Sequence, residues 1–210
     1  MPSVWPDSTF ARRCHLPLEG MFAMFDKDRF IEGCRAAAKE TQPGLAVKEL
    51  IARAVSDPRE VARAFGEPQA GLVDVLYRGD DINILHVAWA PLTTLLPHDH
   101  LMWVVIGIYG GREENVFYRR GESGLIQLRG MQLETRDAAL FGATAIHSAA
   151  NPLDRVTGTI HVYGGDFIGS ATARHEWDPE SLQERAFDRE AALRAFDEAN
   201  QRFANHVTIW

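Results

Sequence analysis

Seven short apolar segments between residues 72 and 163 constrain the fold more than any other feature of the sequence. Each is rich in Val, Ile, Leu or aromatic residues, and Gly- and Asp-containing turns separate them, which is typical of β-strands. Because no gap between them is long enough for a crossover helix, the pattern predicts an antiparallel barrel or sandwich. The predicted strands are Leu72–Tyr77, Ile82–Ala90, His98–Tyr109, Asn115–Tyr118, Leu125–Leu128, Ala138–Phe141 and Val156–Tyr163.

Helical periodicity precedes and follows this β region. Three amphipathic patterns lie between Asp26 and Gly66, and a longer one begins after Asp188. The first twenty residues show no period and contain three prolines, which predicts an irregular arm. We therefore predict a mainly β protein that forms one compact domain in three parts. These are an N-terminal helical appendage (1–71), a β-barrel (72–170) and a C-terminal helical tail (171–210).

The composition narrows the classes of protein that the chain can belong to. The 210 residues are 46% hydrophobic and 24% charged, which is ordinary for a soluble globular protein. A net charge of −7 argues against a nucleic-acid partner or an anionic membrane, because both require a basic surface. The sequence contains no apolar run of bilayer length and no signal-peptide pattern, and its two cysteines form no Cys-x-x-Cys motif. We expect a cytoplasmic protein, and its oligomeric state stays open.

The predicted strand His98–Tyr109 begins with the spacing of a metal site. Alternate side chains of a strand point to the same face, so His98 and His100 can reach one atom between them. Two imidazoles at this spacing are half of a metal site. The alternative is that both are ordinary polar residues at the end of a strand, one solvated and one hydrogen-bonded. The pair alone leaves both interpretations open.

Further histidines can converge on the same point if the barrel closes. His147 ends the segment Ala138–His147, and Asn151 follows four residues later. Thr159, His161 and Tyr163 occupy one face of the last predicted strand. The inward faces of several strands meet in one cavity in a closed antiparallel barrel. His86, in the middle of an apolar strand, is instead expected to be a hydrogen-bonded core or cavity-wall residue.

Together these motifs resemble the thiol dioxygenases of the cysteine dioxygenase type, within the cupin (double-stranded β-helix, or jelly-roll) superfamily. The resemblance covers about residues 72–167 and implies a cupin barrel. It implies that His98, His100 and His147 bind one iron(II) ion per chain, with zinc, nickel or manganese possible in purified protein. It also places Thr159, His161 and Tyr163 in the polar strip that acts in catalysis, although His161 is in principle able to be a fourth ligand. Arg78 resembles the arginine that binds the substrate carboxylate.

Three residues differ from the general pattern of the superfamily or of these enzymes. Val104 and Val105 stand where the general cupin motif has a glutamate ligand, which fits the three-histidine subgroup. Neither is a cysteine, so the Cys–Tyr cross-link of some members cannot form, and Thr159 replaces the usual serine but keeps the hydroxyl. The resemblance thus implies oxidation of a small thiol, such as cysteine or a mercapto-carboxylate, to its sulfinate by O₂.

Three alternatives to this interpretation remain open. The first is another three-histidine cupin reaction, either a C–C-cleaving dioxygenation or a non-redox hydrolysis or isomerisation. The second is a non-catalytic cupin that binds a metal and a small ligand. The third concerns Arg78 alone, which can instead be a turn residue paired with Asp80 or Asp81.

Overall fold

The structure, a computed structural model, describes residues 24–178, 180–181 and 183–207, and it does not describe the side chains of residues 172 and 205–207. The irregular arm predicted for the first twenty residues lies outside this part. Three N-terminal helices are present as predicted, and their capping residues explain where they begin. The Asp26 carboxylate accepts a hydrogen bond from the Arg29 amide (2.9 Å), and Pro43 and Pro58 occupy first helical positions. The helices are α1 (Lys27–Ala37), α2 (Pro43–Val55) and α3 (Pro58–Phe65).

Two antiparallel sheets form the centre of the molecule. The strands are β1 (Leu72–Arg78), β2 (Asn83–Trp89), β3 (Thr94–Asp99), β4 (Val104–Gly110), β5 (Arg112–Gly121), β6 (Gly124–Glu134), β7 (Ala138–Phe141), β8 (Ile146–Ala150), β9 (Thr157–Tyr163), β10 (His175–Trp177) and β11 (Glu184–Ala186). One sheet has the order β1-β2-β9-β4-β7 and the other β11-β10-β3-β8-β5-β6. A last helix, α4 (Arg189–Val207), follows. The predicted mainly β fold with helices at both ends is therefore confirmed.

The central strands of the five-stranded sheet are buried on both faces, which explains why they lack an alternating pattern. In β2, Ile84 packs towards the N-terminal helices, whereas Leu85 and Val87 pack towards the second sheet. Every residue of β2 and β9 is buried. The space between the two sheets holds a hydrophobic core that includes Leu85 and Val87, and it also contains a cavity.

The structure corrects three local predictions. The predicted single strand His98–Tyr109 is two strands, β3 and β4, and Leu101 lies between them with a φ of 58°. The strand β8, which contains His147, is absent from the predicted strands. The predicted helical tail 171–210 contains a short 3₁₀ turn and the strands β10 and β11 before it becomes helical at Arg189. The division of the chain into the parts 1–71, 72–170 and 171–210 stays a prediction.

No helix in the described part of the chain is long and apolar enough to cross a membrane.

Helix α2 lies close to the five-stranded sheet at Gly107, and this contact supports a first prediction. A Cβ atom at Gly107 would overlap the buried Ile51 side chain of α2. We expect Gly107→Ala to lower the free energy of unfolding by about 1–3 kcal/mol, as overpacking does elsewhere. Urea denaturation is the measurement. Gly110→Ala on the same strand is the matched control, because nothing lies within 4 Å of its added Cβ. Equal stability of the two variants would contradict the prediction.

Candidate metal centre

Strand pairing brings three histidines together between the sheets. His98 on β3 and His147 on β8 are direct partners in the antiparallel register, so their side chains lie next to each other. His100 follows β3 immediately, before the chain turns at Leu101. The Nε2 atom of His100 lies 3.2 Å from Nε2 of His98 and 3.4 Å from Nε2 of His147. All three residues are buried, and one ring nitrogen of each lies within 4.8 Å of the others.

The outer hydrogen bonds of these rings determine which nitrogen faces inward with a lone pair. The Nδ1–H group of His98 donates to the Leu96 carbonyl (2.8 Å). The Nδ1–H group of His147 donates to the Asn115 side-chain oxygen (2.7 Å). With Nδ1 protonated, the neutral ring keeps its lone pair on Nε2. The lone pairs of His98 and His147 therefore both point at Nε2 of His100, which carries at most one hydrogen and can donate it to only one of them. A metal ion bound by all three nitrogens resolves this arrangement.

Two of the three nitrogen–nitrogen distances, 3.2 and 3.4 Å, and the charge state of the rings fit a divalent metal ion. Metal–nitrogen bonds of about 2.1 Å place neighbouring ligand nitrogens about 3.0–3.4 Å apart in octahedral or tetrahedral geometry. Burial lowers the pKa of His98 to about 4 and lowers the pKa values of His100 and His147 well below their ordinary value. All three rings are thus neutral at pH 7, as metal ligands must be. The three-histidine cluster can hold a metal ion.

The cluster faces a cavity of about 200 Å³ between the two sheets. Its polar lining is concentrated in a few side chains, and the rest is aliphatic or aromatic. Besides the three histidines, the polar lining residues are Glu113, His161, Tyr163, Arg174 and Arg189.

His161 and Tyr163 lie together on β9 and face this cavity, beside a buried acid. The Tyr163 hydroxyl is 3.1 Å from His161 Nδ1, and His161 Nε2 is 3.7 Å from a Glu113 carboxylate oxygen. Neither of those last two atoms has a hydrogen-bond partner among the described residues. The Tyr163 ring meets the His100 ring edge to face, with centroids 5.3 Å apart. Thr159 differs, because its hydroxyl donates to the Val87 carbonyl (2.9 Å) and it does not line the cavity.

The chain matches no family model and no curated protein. It does resemble solved structures. A cupin superfamily protein from Desulfitobacterium hafniense is 15% identical, with a TM-score of 0.39 over 48% of this chain and 83% of that one. An RmlC-like cupin family protein from Methanocaldococcus jannaschii is 8% identical, with a TM-score of 0.40 over 50% and 88%. A protein from Bacillus halodurans is 13% identical, with a TM-score of 0.45 over 64% and 90%.

These scores are low, so the fold assignment depends on the strand order. Two antiparallel sheets pack face to face, and the inward residues of β3 and β8 present histidines to the space between them. The β core is an antiparallel sandwich of two sheets, the architecture that the sequence pattern predicts.

Arg78 does not line the cavity between the two sheets. Its side chain is half exposed, and two of its nitrogens donate to the Asp166 carboxylate at 3.1 and 3.2 Å. It is therefore a surface ion-pair residue, although with Asp166 and not with the turn residues Asp80 or Asp81. The geometry gives no support to the substrate-binding role that we predicted for Arg78.

Arg174, and not Arg78, is an arginine that lines the cavity. It is 2% exposed, lines the cavity, and lies between the rings of Phe167 (3.9 Å) and Phe187 (4.4 Å). Its Nε and Nη1 atoms have no hydrogen-bond partner in the described part of the chain. Burial lowers the pKa of its guanidinium to about 10, so it remains charged at pH 7. A buried cation with two free donors can donate hydrogen bonds to an anion.

Asp99, the residue between the first two histidines, connects Arg174 to the metal centre. Its buried carboxylate accepts hydrogen bonds from the backbone amide and from Nδ1 of His175, both at 2.9 Å. Arg120 lies 3.5 Å from the same carboxylate. These bonds hold the start of β10 against β3, and Arg174 is the residue just before β10. His175 is thus a structural partner of the His-x-His segment.

Proposed function

We propose that this chain is a mononuclear non-haem iron(II) thiol dioxygenase that converts a small thiol carboxylate to its sulfinate. The observation that carries the proposal is the composition of the three-histidine cluster. Three neutral imidazoles converge on one point, and among the described residues no carboxylate joins them. Neutral ligands leave the full +2 charge of an iron ion available to an anionic thiolate, which a ligating carboxylate would partly cancel.

The reaction balances without a further reductant. A thiol R–SH and O₂ give R–SO₂H, with both oxygen atoms in the product and all four electrons supplied by the sulfur. Iron(II), when bound, would supply the site at which thiolate and O₂ meet. The side chains of this protein would supply orientation and hydrogen bonds.

The cavity side chains have distinct roles in this proposal. Arg174 holds the substrate carboxylate through its two unpaired nitrogens. The Tyr163 hydroxyl donates a hydrogen bond towards the reacting groups, and His161 orients it. Burial raises the pKa of Tyr163 above its ordinary value, which keeps the phenol protonated at pH 7. Thr159 stays a predicted member of this strip, although its own hydrogen bond is to the backbone of β2.

Oxygen uptake with a panel of thiols tests the proposal. The protein is loaded with iron(II) anaerobically and assayed with cysteine, 3-mercaptopropionate, cysteamine and mercaptosuccinate. We expect one O₂ consumed for each sulfinate formed, with the product identified by mass spectrometry. Full metal occupancy without oxygen uptake on any thiol would refute the proposal and would favour a non-redox or non-catalytic cupin.

Arg174 is the residue whose substitution should separate substrates by their charge. We expect Arg174→Gln to raise KM for 3-mercaptopropionate by about tenfold to a hundredfold, the usual value of a charge-assisted hydrogen bond. KM for cysteamine, which has no carboxylate, should change little. Steady-state oxygen uptake is the measurement, and Arg78→Gln is the matched control, because Arg78 pairs with Asp166 at the surface. Equal losses on both thiols would contradict a carboxylate-binding role for Arg174.

A further inference from the structure

The wall of the cavity is more apolar than a small polar thiol requires. The polar side chains already described include the three-histidine cluster and Arg174. The remaining residues that line the cavity carry no charge. Many of these lie along β1, β2 and α4: Val73, Val75, Leu85, Val87, Trp89, Ala192, Leu193 and Phe196. A ligand made only of polar groups would leave this wall in contact with water, at a cost in free energy. The wall therefore indicates an occupant with an apolar part.

The apolar part of the cavity continues to the surface. Trp89 and Phe196 are buried and in contact, with ring centroids 5.3 Å apart. Val73 and Val75 on β1 and Leu193 on α4 line the same cavity but are 41%, 48% and 38% exposed. A continuous apolar surface thus leads from the region of the metal cluster to a mouth between β1 and α4. Arg189, the exposed first residue of α4, also lines the cavity.

Helix α4 forms this wall in a defined position. Its Asn200 side chain accepts a hydrogen bond from the Gly71 amide (2.6 Å) and donates one to the Gly71 carbonyl (2.9 Å). Phe196 and Ala199 of the same helix are buried. These contacts connect α4 to the start of β1, so the wall is built from two segments that lie 129 residues apart in the sequence.

The volume sets a scale for the occupant. A dry protein cavity of about 150 Å³ holds benzene, so about 200 Å³ holds roughly eight non-hydrogen atoms. A longer ligand would extend through the mouth along Val73, Val75 and Leu193.

We propose that the site binds an amphipathic monocarboxylate of about six to eight carbons, with its head on Arg174 and its tail along Trp89 and Phe196. As a statement about substrate, this inference rests on the proposed function, in which the same molecule also carries the thiol. As a statement about binding, it does not require any turnover. The two unpaired nitrogens of Arg174 take the carboxylate, and the apolar wall takes the tail.

Calorimetric titration with carboxylates that lack a thiol tests the binding directly. The protein, loaded with zinc as a redox-inert ion, is titrated with butanoate, hexanoate and octanoate. We expect affinity to rise about threefold to fourfold for each methylene up to hexanoate, as buried methylenes do elsewhere. Arg174→Gln should weaken all three carboxylates by about tenfold or more and leave hexanol binding unchanged.

Two further variants locate the tail. Phe196→Ala should reduce the gain from butanoate to hexanoate to less than about threefold. If Phe196→Ala does not fold, Leu193→Gln at the mouth should selectively weaken octanoate, because Leu193 is partly exposed and its substitution spares the core. Equal affinity for all chain lengths, or no carboxylate binding, overturns the inference even if small thiols are oxidised. Chain-length-dependent binding without oxygen uptake on any thiol, alkyl-substituted ones included, supports the binding site and refutes the proposed function.

Discussion

The His147→Ala protein is expected to lose most of its metal. The three inward nitrogens hold the ion jointly, and His147 is the ligand that its neighbour Asn115 orients from outside. Removing one of three ligands leaves two imidazoles, and His98→Ala and His100→Ala should have the same effect. The measurement is metal per chain by mass spectrometry, after anaerobic loading with iron(II) and dialysis. We expect close to one ion per chain in the unsubstituted protein.

Thermal unfolding gives an independent measurement of the same loss. A metal that binds only the folded protein stabilises it by about 2.7 kcal/mol at a hundred times its Kd. Added metal should therefore raise the Tm of the unsubstituted protein but not that of the His147→Ala protein. His86→Gln is the control, because His86 is a buried histidine that bonds to Tyr109 (2.7 Å) and does not line the cavity. Full occupancy in His147→Ala would remove that residue from the site.

The spacing of His98 and His100 was predictable from the sequence, whereas the turn that follows them at Leu101 was not. Period-two alternation places His98 and His100 near one point whether the chain continues as a strand or turns after His100. The apolar run that follows hides the turn, since the backbone conformation of Leu101 carries no residue signature such as glycine. His147 could be selected as a candidate because its place after an apolar segment is visible, and the structure places it in the three-histidine cluster. Its pairing with His98 across β3 and β8 depends on sheet order, which the sequence does not specify.

The sequence did not identify Arg174 and Glu113 as cavity residues. Arg174 lies within the predicted helical tail, and that stretch is brought against β3 by the pairing of β10 with β3 and by the bonds of Asp99 to His175. Such a contact spans 76 residues and has no local pattern. Glu113 had a weak signal, because it alternates with Asn115 and Phe117 along one strand face. The predicted strand began at Asn115, however, whereas β5 begins at Arg112 and buries Glu113 completely.

We expect His161→Gln and Tyr163→Phe to keep their metal and yet turn over at least about tenfold more slowly. Residues that orient the groups around a metal typically contribute about 10–100-fold to activity or affinity. The Nε2 atom of His161 lies 3.7 Å from a Glu113 carboxylate oxygen, and His161 is not part of the three-histidine cluster. Its other nitrogen lies next to the Tyr163 hydroxyl, whose ring meets the His100 ring. His161 thus has a position from which to orient Tyr163 without binding the ion.

The double variant distinguishes one joint role from two separate ones. If His161 acts only by orienting the Tyr163 hydroxyl, removing that hydroxyl leaves His161 with nothing to orient. The double variant should then be little slower than either single variant, because groups that act as one unit are not additive. Metal per chain, oxygen uptake and sulfinate yield are measured for all three proteins. If His161→Gln instead loses its metal as completely as His98→Ala, the site has four histidine ligands. Too few positions would then remain for a thiolate and O₂ together, and the dioxygenase proposal would fall.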